Sequence, residues 1–135
     1  MLNIPTELNA TVVPMMNDDD VKVLAERRVD YLRMKHRDIS LDYVLQSGPY
    51  GDWVIILYAE YDFSITGFDI IESKTSWKRP DAVEMYNALV DEGYCVVVYV
   101  PDEVRNNVKG MIKEKGGREN IRVFSMKKLL PPIEA

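Results

Sequence analysis

Glu72 and Lys74 stand one residue apart in "FDIIESKTS" (68–76), where an apolar run ends. On a strand, side chains alternate faces, so the two would point to one side and Ser73 to the other. Asp52 opens the preceding apolar run, directly after the turn sequence "GPYG" (48–51), and is among the few acids that strand pairing would bring near Glu72. A pair of carboxylates binds Mg²⁺, or Mn²⁺, through hard oxygen ligands and leaves positions for water and a phosphate. The metal acidifies the bound water and stabilises the charged transition state. A neighbouring lysine orients that water or neutralises the developing charge. The chemistry of such a group is metal-dependent phosphodiester hydrolysis. The triplet alone is not selective, because "DVK" (20–22) repeats it at a helix start. A solvated strand end is the plain alternative.

The elements that must position these residues follow from periodicity. Residues 1–16, with Pro5 and Pro14, read as an irregular or extended arm. "NDDD" (17–20) opens a helix that Asn17 or Asp18 can cap, and the aspartates suit the positive end of its dipole. Val21, Leu24, Ala25, Val29 and Leu32 carry the helical period. "LDYVLQS" (41–47), "DWVIILYAEYDF" (52–63) and "FDIIES" (68–73) read as strands separated by "GPYG" and by a hairpin turn at "SITG" (64–67). Short turns between sequential strands predict an antiparallel meander.

"RPDAVEMYNALVDEG" (79–93) is predicted as a helix with Pro80 near its first turn and Gly93 at its end. "YCVVVYV" (94–100) has no alternation and reads as a central strand covered on both faces. A helix ending at Gly116–Gly117, a strand "IRVFSM" and a tail from residue 127 complete the chain. The expected fold is one α/β domain over 1–135: a mixed β-sheet with helices on both faces, in the order α-β-β-β-α-β-α-β.

An aspartate at a strand start, then an acid-x-Lys on the partner strand, then a helix and a buried strand resembles the PD-(D/E)XK nuclease superfamily, the restriction-endonuclease-like fold. The residues that carry the likeness are "PYGDWVII", "FDIIESKTS" and "DAVEMYNALVDEGYCVVVYVP", within roughly residues 18–100. The resemblance implies a Mg²⁺-dependent nuclease that cuts DNA, or less often RNA. Asp52 and Glu72 would then hold the metal and Lys74 would serve the water or the phosphate. Glu26, the glutamate of the first helix, is an outside candidate for a further metal contact. The sequence departs from the pattern in two places: Tyr50 and Gly51 separate Pro49 from Asp52, and the helix after Lys74 carries Glu84 and Asn87 where many members have glutamine.

Composition bounds the alternatives. The chain has 135 residues, 47% hydrophobic and 29% charged, with a net charge of −5. Such a chain builds one core, and its overall field does not attract a polyanion. Phosphate contacts would be local. Lys78 and Arg79 lie beside the triplet, and Arg27 and Arg28 lie on the basic side of the first helix. Cutting two strands from a chain with one small site would need a homodimer.

Nothing matches a Gly-rich phosphate loop or a Gly-x-Ser-x-Gly elbow, which disfavours kinases, dehydrogenases and serine hydrolases. The single cysteine, Cys95, reads as a small buried apolar residue, and the single histidine, His36, as a surface or helix-end residue. No apolar run approaches the roughly 18–20 residues of a membrane span, and the first residues lack a basic leader pattern. A cytoplasmic protein without membrane contact is expected. The rival to the nuclease is a non-catalytic α/β interaction module, such as a subunit of a larger complex.

Overall fold

The computed structural model describes residues 20–60 and 65–130. Its elements are α1 (Val21–Lys35), β1 (Ser40–Gln46), β2 (Trp53–Ala59), β3 (Ile65–Glu72), α2 (Ala82–Asp91), β4 (Cys95–Val100), α3 (Arg105–Glu114) and β5 (Arg122–Ser125). Short 3-10 turns follow β3, β4 and β5. The five strands form one mixed sheet in the order β1-β2-β3-β4-β5. β1, β2 and β3 run antiparallel as a meander, while β4 and β5 join β3 in parallel through the crossover helices α2 and α3.

Period-2 alternation distributes the strands between two cores. Val54 and Ile56 of β2, Ile71 of β3 and Tyr99 of β4 face α1, where they meet Val21, Ala25 and Val29. Ile70 of β3 and Val96, Val98 and Val100 of β4 face the other way, onto Val83 and Tyr86 of α2 and Val108 and Ile112 of α3. β4 is therefore covered on both faces, and its run of β-branched residues needs no polar alternation. α2 stops at Gly93, whose φ of 97° a side chain would resist. The Tyr94 N–H reaches back to the Leu89 carbonyl and the Gly93 N–H to that of Val90, which satisfies the last turn.

Several boundaries differ from the sequence reading. α1 begins at Val21 with Asp20 at its N-cap, and that side chain makes no capping hydrogen bond. The proposed caps Asn17 and Asp18, and the arm at 1–16, lie outside the described residues. β3 begins at Ile65, so residues placed in a "SITG" turn belong to the strand. α2 starts at Ala82, and Pro80 precedes it.

Cys95 is exposed rather than buried. It is the first residue of β4, and coverage of that strand begins at Val96. The tail is not free from residue 127: Leu129 is fully buried in the core under α1, because the turn after β5 folds it back. Among the described residues, no helix is long and apolar enough to cross a membrane.

Candidate functional site

β2 and β3 pair so that Trp53 lies opposite Glu72. Directly opposed residues share a face. Trp53 and Glu72 therefore both point toward α2, while Asp52 precedes β2 and is exposed. β3 ends at Glu72, so the strand alternation invoked for Lys74 does not extend to it. Of the three expected site residues, Glu72 is turned into the protein, while Asp52 and Lys74 are exposed outside the two strands.

Glu72 is fully buried, and its carboxylate is enclosed by donors. Arg79 Nη1 lies 2.7 Å from Oε1 and Nη2 3.1 Å from Oε2. The Ser76 hydroxyl donates to Oε1 at 2.6 Å, and the Tyr86 hydroxyl, from the interior face of α2, donates to Oε2. A charged group can be buried only when it is paired and hydrogen-bonded in this manner. The Tyr86 phenol is held well above its ordinary pKa by burial and by the adjacent carboxylate.

The loop after β3 builds the cage locally. Ser76 Oγ accepts the Ser73 N–H at 2.7 Å, and Ser73 Oγ accepts the Ser76 N–H at 3.1 Å. This reciprocal clasp closes the chain into a 3-10 turn and points the Ser76 hydroxyl at Glu72. Trp77 packs inward as a loop anchor, its indole N–H donating to the Lys74 carbonyl at 2.7 Å. The Arg79 guanidinium stacks over the Trp53 ring, 3.6 Å from its centroid. Cation–π stacking and the carboxylate thus fix one arginine from two directions.

On the outer side, Asp52, Gly51, Ser73, Lys74 and Thr75 line a shallow groove that does not include Glu72. Gly51 has φ of 111°, and a Cβ there would lie 3.0 Å from Thr75 Oγ1 and 3.2 Å from Ser73 Oγ. The turn before β2 therefore lies against the loop after β3, and the Thr75 hydroxyl donates to the Tyr50 carbonyl. Lys74 forms an ion pair with Glu103 at 3.4 Å, both side chains about half exposed. Ser73 itself is buried, and its backbone and hydroxyl are used in the clasp.

These residues do not fit a Mg²⁺ or Mn²⁺ ion. A hard cation takes free carboxylate oxygens together with water. Both oxygens of Glu72 already receive donors, one of them a cation, and water does not reach them. Among the described residues, no group of three or more His, Cys, Asp or Glu side chains is placed to hold a metal ion.

The remaining candidates divide. Glu26 lies on α1, where its carboxylate accepts the Tyr43 hydroxyl at 3.0 Å, away from Glu72. Arg27 is exposed on α1. Lys78 is exposed beside the Trp77 ring, 5.5 Å from its centroid. Arg79 is only 11% exposed and serves Glu72, which leaves little of it for a phosphate. His36 is exposed at the C-terminal end of α1.

Arg28 is largely buried as well, in a second cluster that the sequence reading did not find. Its Nε lies 3.3 Å from Asp69, its Nη1 donates to the Leu129 carbonyl at 2.9 Å and its Nη2 to the Tyr99 hydroxyl at 3.2 Å. The Tyr58 hydroxyl also donates to Asp69. Burial raises the Asp69 carboxyl above the ordinary carboxylate range, against the pull of Tyr58 and Arg28. Asp69 in the otherwise apolar "FDII" was the visible signal, since a lone acid in a buried strand requires a partner. β3 thus carries one carboxylate–arginine–tyrosine cluster on each face of the sheet, Asp69 toward α1 and Glu72 toward α2.

No family model, curated protein or solved structure matches this chain.

Proposed function

We propose that the chain is a non-catalytic α/β interaction module whose sheet follows the restriction-endonuclease-like plan. The observation that carries this reading is the enclosure of Glu72. The carboxylate that an acid-x-Lys motif would offer to a metal is a buried structural anion, neutralised by Arg79 and bonded by Ser76 and Tyr86. Arg28 and Arg79, two of the four cations expected on a phosphate backbone, hold the fold together. What the surface offers a partner is the open edge at β1, the first strand of the sheet order.

The second reading, a Mg²⁺-dependent nuclease acting on DNA, rests on Asp52 and Lys74 lining one groove at the end of β3. That groove contains a single carboxylate.

Cleavage of single-stranded, double-stranded and branched DNA, and of RNA, with Mg²⁺ or Mn²⁺ separates the two. Wild type is compared with Asp52→Ala and Lys74→Ala, both at exposed positions. The module reading predicts no metal-dependent cutting by any of the three. Cutting by wild type that both substitutions abolish would overturn it in favour of the nuclease.

A further inference from the structure

We propose that the outer flank of α3 and the rim of β5 form a docking surface for a short acidic peptide segment of a partner protein. The proposal rests on the module reading and gives that module a second surface, with the chemistry of its partner.

Charge is segregated along the chain. Residues 105–128 hold eight of the 17 lysines and arginines and two of the 22 acids. They carry a net +6 in a chain of −5, while nine basic and twenty acidic residues lie elsewhere.

The fold gathers these cations on one side. α3 turns Val108 and Ile112 into the core and packs Met111 against it. Arg105, Lys109 and Lys113 recur every fourth residue, so they stand in a row on one flank of the helix, with Met111 on the other. Glu114, the one acid of α3, is also off that row. β4, α3 and β5 form a parallel crossover, and such units are right-handed. In a right-handed unit the flank with Arg105, Lys109 and Lys113 faces away from α2, along the open side of β5, the last strand of the sheet. Arg122 and Lys128 border the same edge from the α1 face. Arg122 alternates with Val123, which faces α3, and the Lys128 ammonium lies 5.5 Å from the centroid of the Phe124 ring.

Lys109, Lys113 and Arg122 are exposed, and among the described residues none of the three has an ion-pair partner.

Spacing and surroundings set the class of partner. The row from Arg105 to Lys113 spans about 12 Å, in steps of about 6 Å. In an extended peptide, side chains on one face repeat every ~6.6 Å, so carboxylates at alternate positions match the row one to one. Beyond the patch the sign reverses. α2 carries Glu84 and Asp91 and no lysine or arginine, and Asp102 and Glu103 stand just before α3. A long polyanion such as a nucleic acid would run on over these carboxylates, whereas a segment of a few residues meets the cations alone. A membrane surface takes up apolar side chains, and the apolar face of α3 is buried.

Fluorescence anisotropy of a labelled peptide of about eight residues, alternating glutamate and serine, gives the test, with the full chain at low salt in EDTA. Wild type is expected to bind it saturably, and to leave the same peptide with glutamine for glutamate unbound. Lys109→Gln, Lys113→Gln and Arg122→Gln together change only exposed positions and are expected to raise Kd by at least about tenfold. Lys22→Gln, Arg27→Gln and Arg37→Gln together remove the same charge from exposed positions on α1 and just beyond it, across the sheet from α3. That variant is expected to stay within about threefold of wild type.

No saturable binding by wild type, or equal weakening by the two triple variants, would overturn the proposal. So would a DNA duplex of about 20 base pairs that binds more tightly than the peptide and loses its affinity with Lys109, Lys113 and Arg122, because the patch would then belong to nucleic acid. Metal-dependent cleavage would sink the module reading but does not operate in EDTA, so the two failures are distinguishable.

Discussion

Arg79 meets Glu72 end-on, with Nη1 2.7 Å from Oε1 and Nη2 3.1 Å from Oε2, while a face of its guanidinium plane lies on the Trp53 ring. The two residues are seven apart in sequence, joined by a loop that the Ser73–Ser76 clasp folds into a 3-10 turn. This relationship, more than any other, decides what the Glu-Ser-Lys sequence does. It turns a potential metal ligand into the counter-ion of a buried arginine.

Removing one partner of such a pair leaves the other charge buried and uncompensated. Arg79→Met is expected to destabilise the protein by about 3–5 kcal/mol. Adding Glu72→Gln, which removes the orphaned charge, is expected to restore part of that loss, so the double variant is more stable than the sum of the single effects predicts. Urea denaturation of the three variants and wild type measures the coupling. Strict additivity would contradict the pairing.

Ser76 has two roles in one hydroxyl. It accepts the buried Ser73 N–H and donates to Glu72. Ser76→Ala is expected to cost about 1–3 kcal/mol, the loss attached to an unsatisfied buried group. Ser76→Thr keeps the oxygen and is expected to recover a measurable part of it. The same urea titration decides.

Lys74 and Asp52 are predicted to behave differently. Both are exposed, and the Lys74–Glu103 pair lies in solvent. Exposed pairs of this kind contribute about 0–1 kcal/mol. Lys74→Ala and Asp52→Ala are each expected to leave stability within about 1 kcal/mol of wild type. A larger loss would mean that the outer groove is part of the structural framework.

The Asp69 cluster carries a pH signature. Burial raises the Asp69 carboxyl above its unfolded value, so the folded state holds that proton more tightly than the unfolded state does. Its contribution is most favourable below the ordinary carboxylate range and is lost as pH rises through the raised value. The stability of wild type relative to Asp69→Asn is therefore expected to fall as pH increases across that window. Paired denaturation curves from acid to neutral pH test the sign. A difference that grows with pH would contradict it.

Much of the architecture was legible from period and punctuation. Val21, Ala25, Val29 and Leu32 marked the buried stripe of α1, Gly93 marked the stop of α2, and "CVVVYV" marked a strand covered on both faces. The mixed sheet flanked by helices follows from these elements. The site was less legible for two physical reasons. The register pairs Trp53 rather than Asp52 with Glu72, which leaves Glu72 buried against α2 and Asp52 exposed just before β2, and a one-residue difference of this kind is not fixed by the sequence. Nor does periodicity reveal that Arg79, past a 3-10 turn, folds back onto the preceding strand. Cys95 shows a third limit: a residue type that is usually buried is exposed where the strand begins before its cover does.

The most direct test of the account is a calorimetric titration of the full chain with Mn²⁺, with Asp52→Ala and Glu72→Gln as controls. The account predicts no saturable site, because the oxygens of Glu72 are already bonded by Arg79, Ser76 and Tyr86. Binding of one ion per chain, lost in both variants, would contradict it and restore Asp52 and Glu72 as metal ligands.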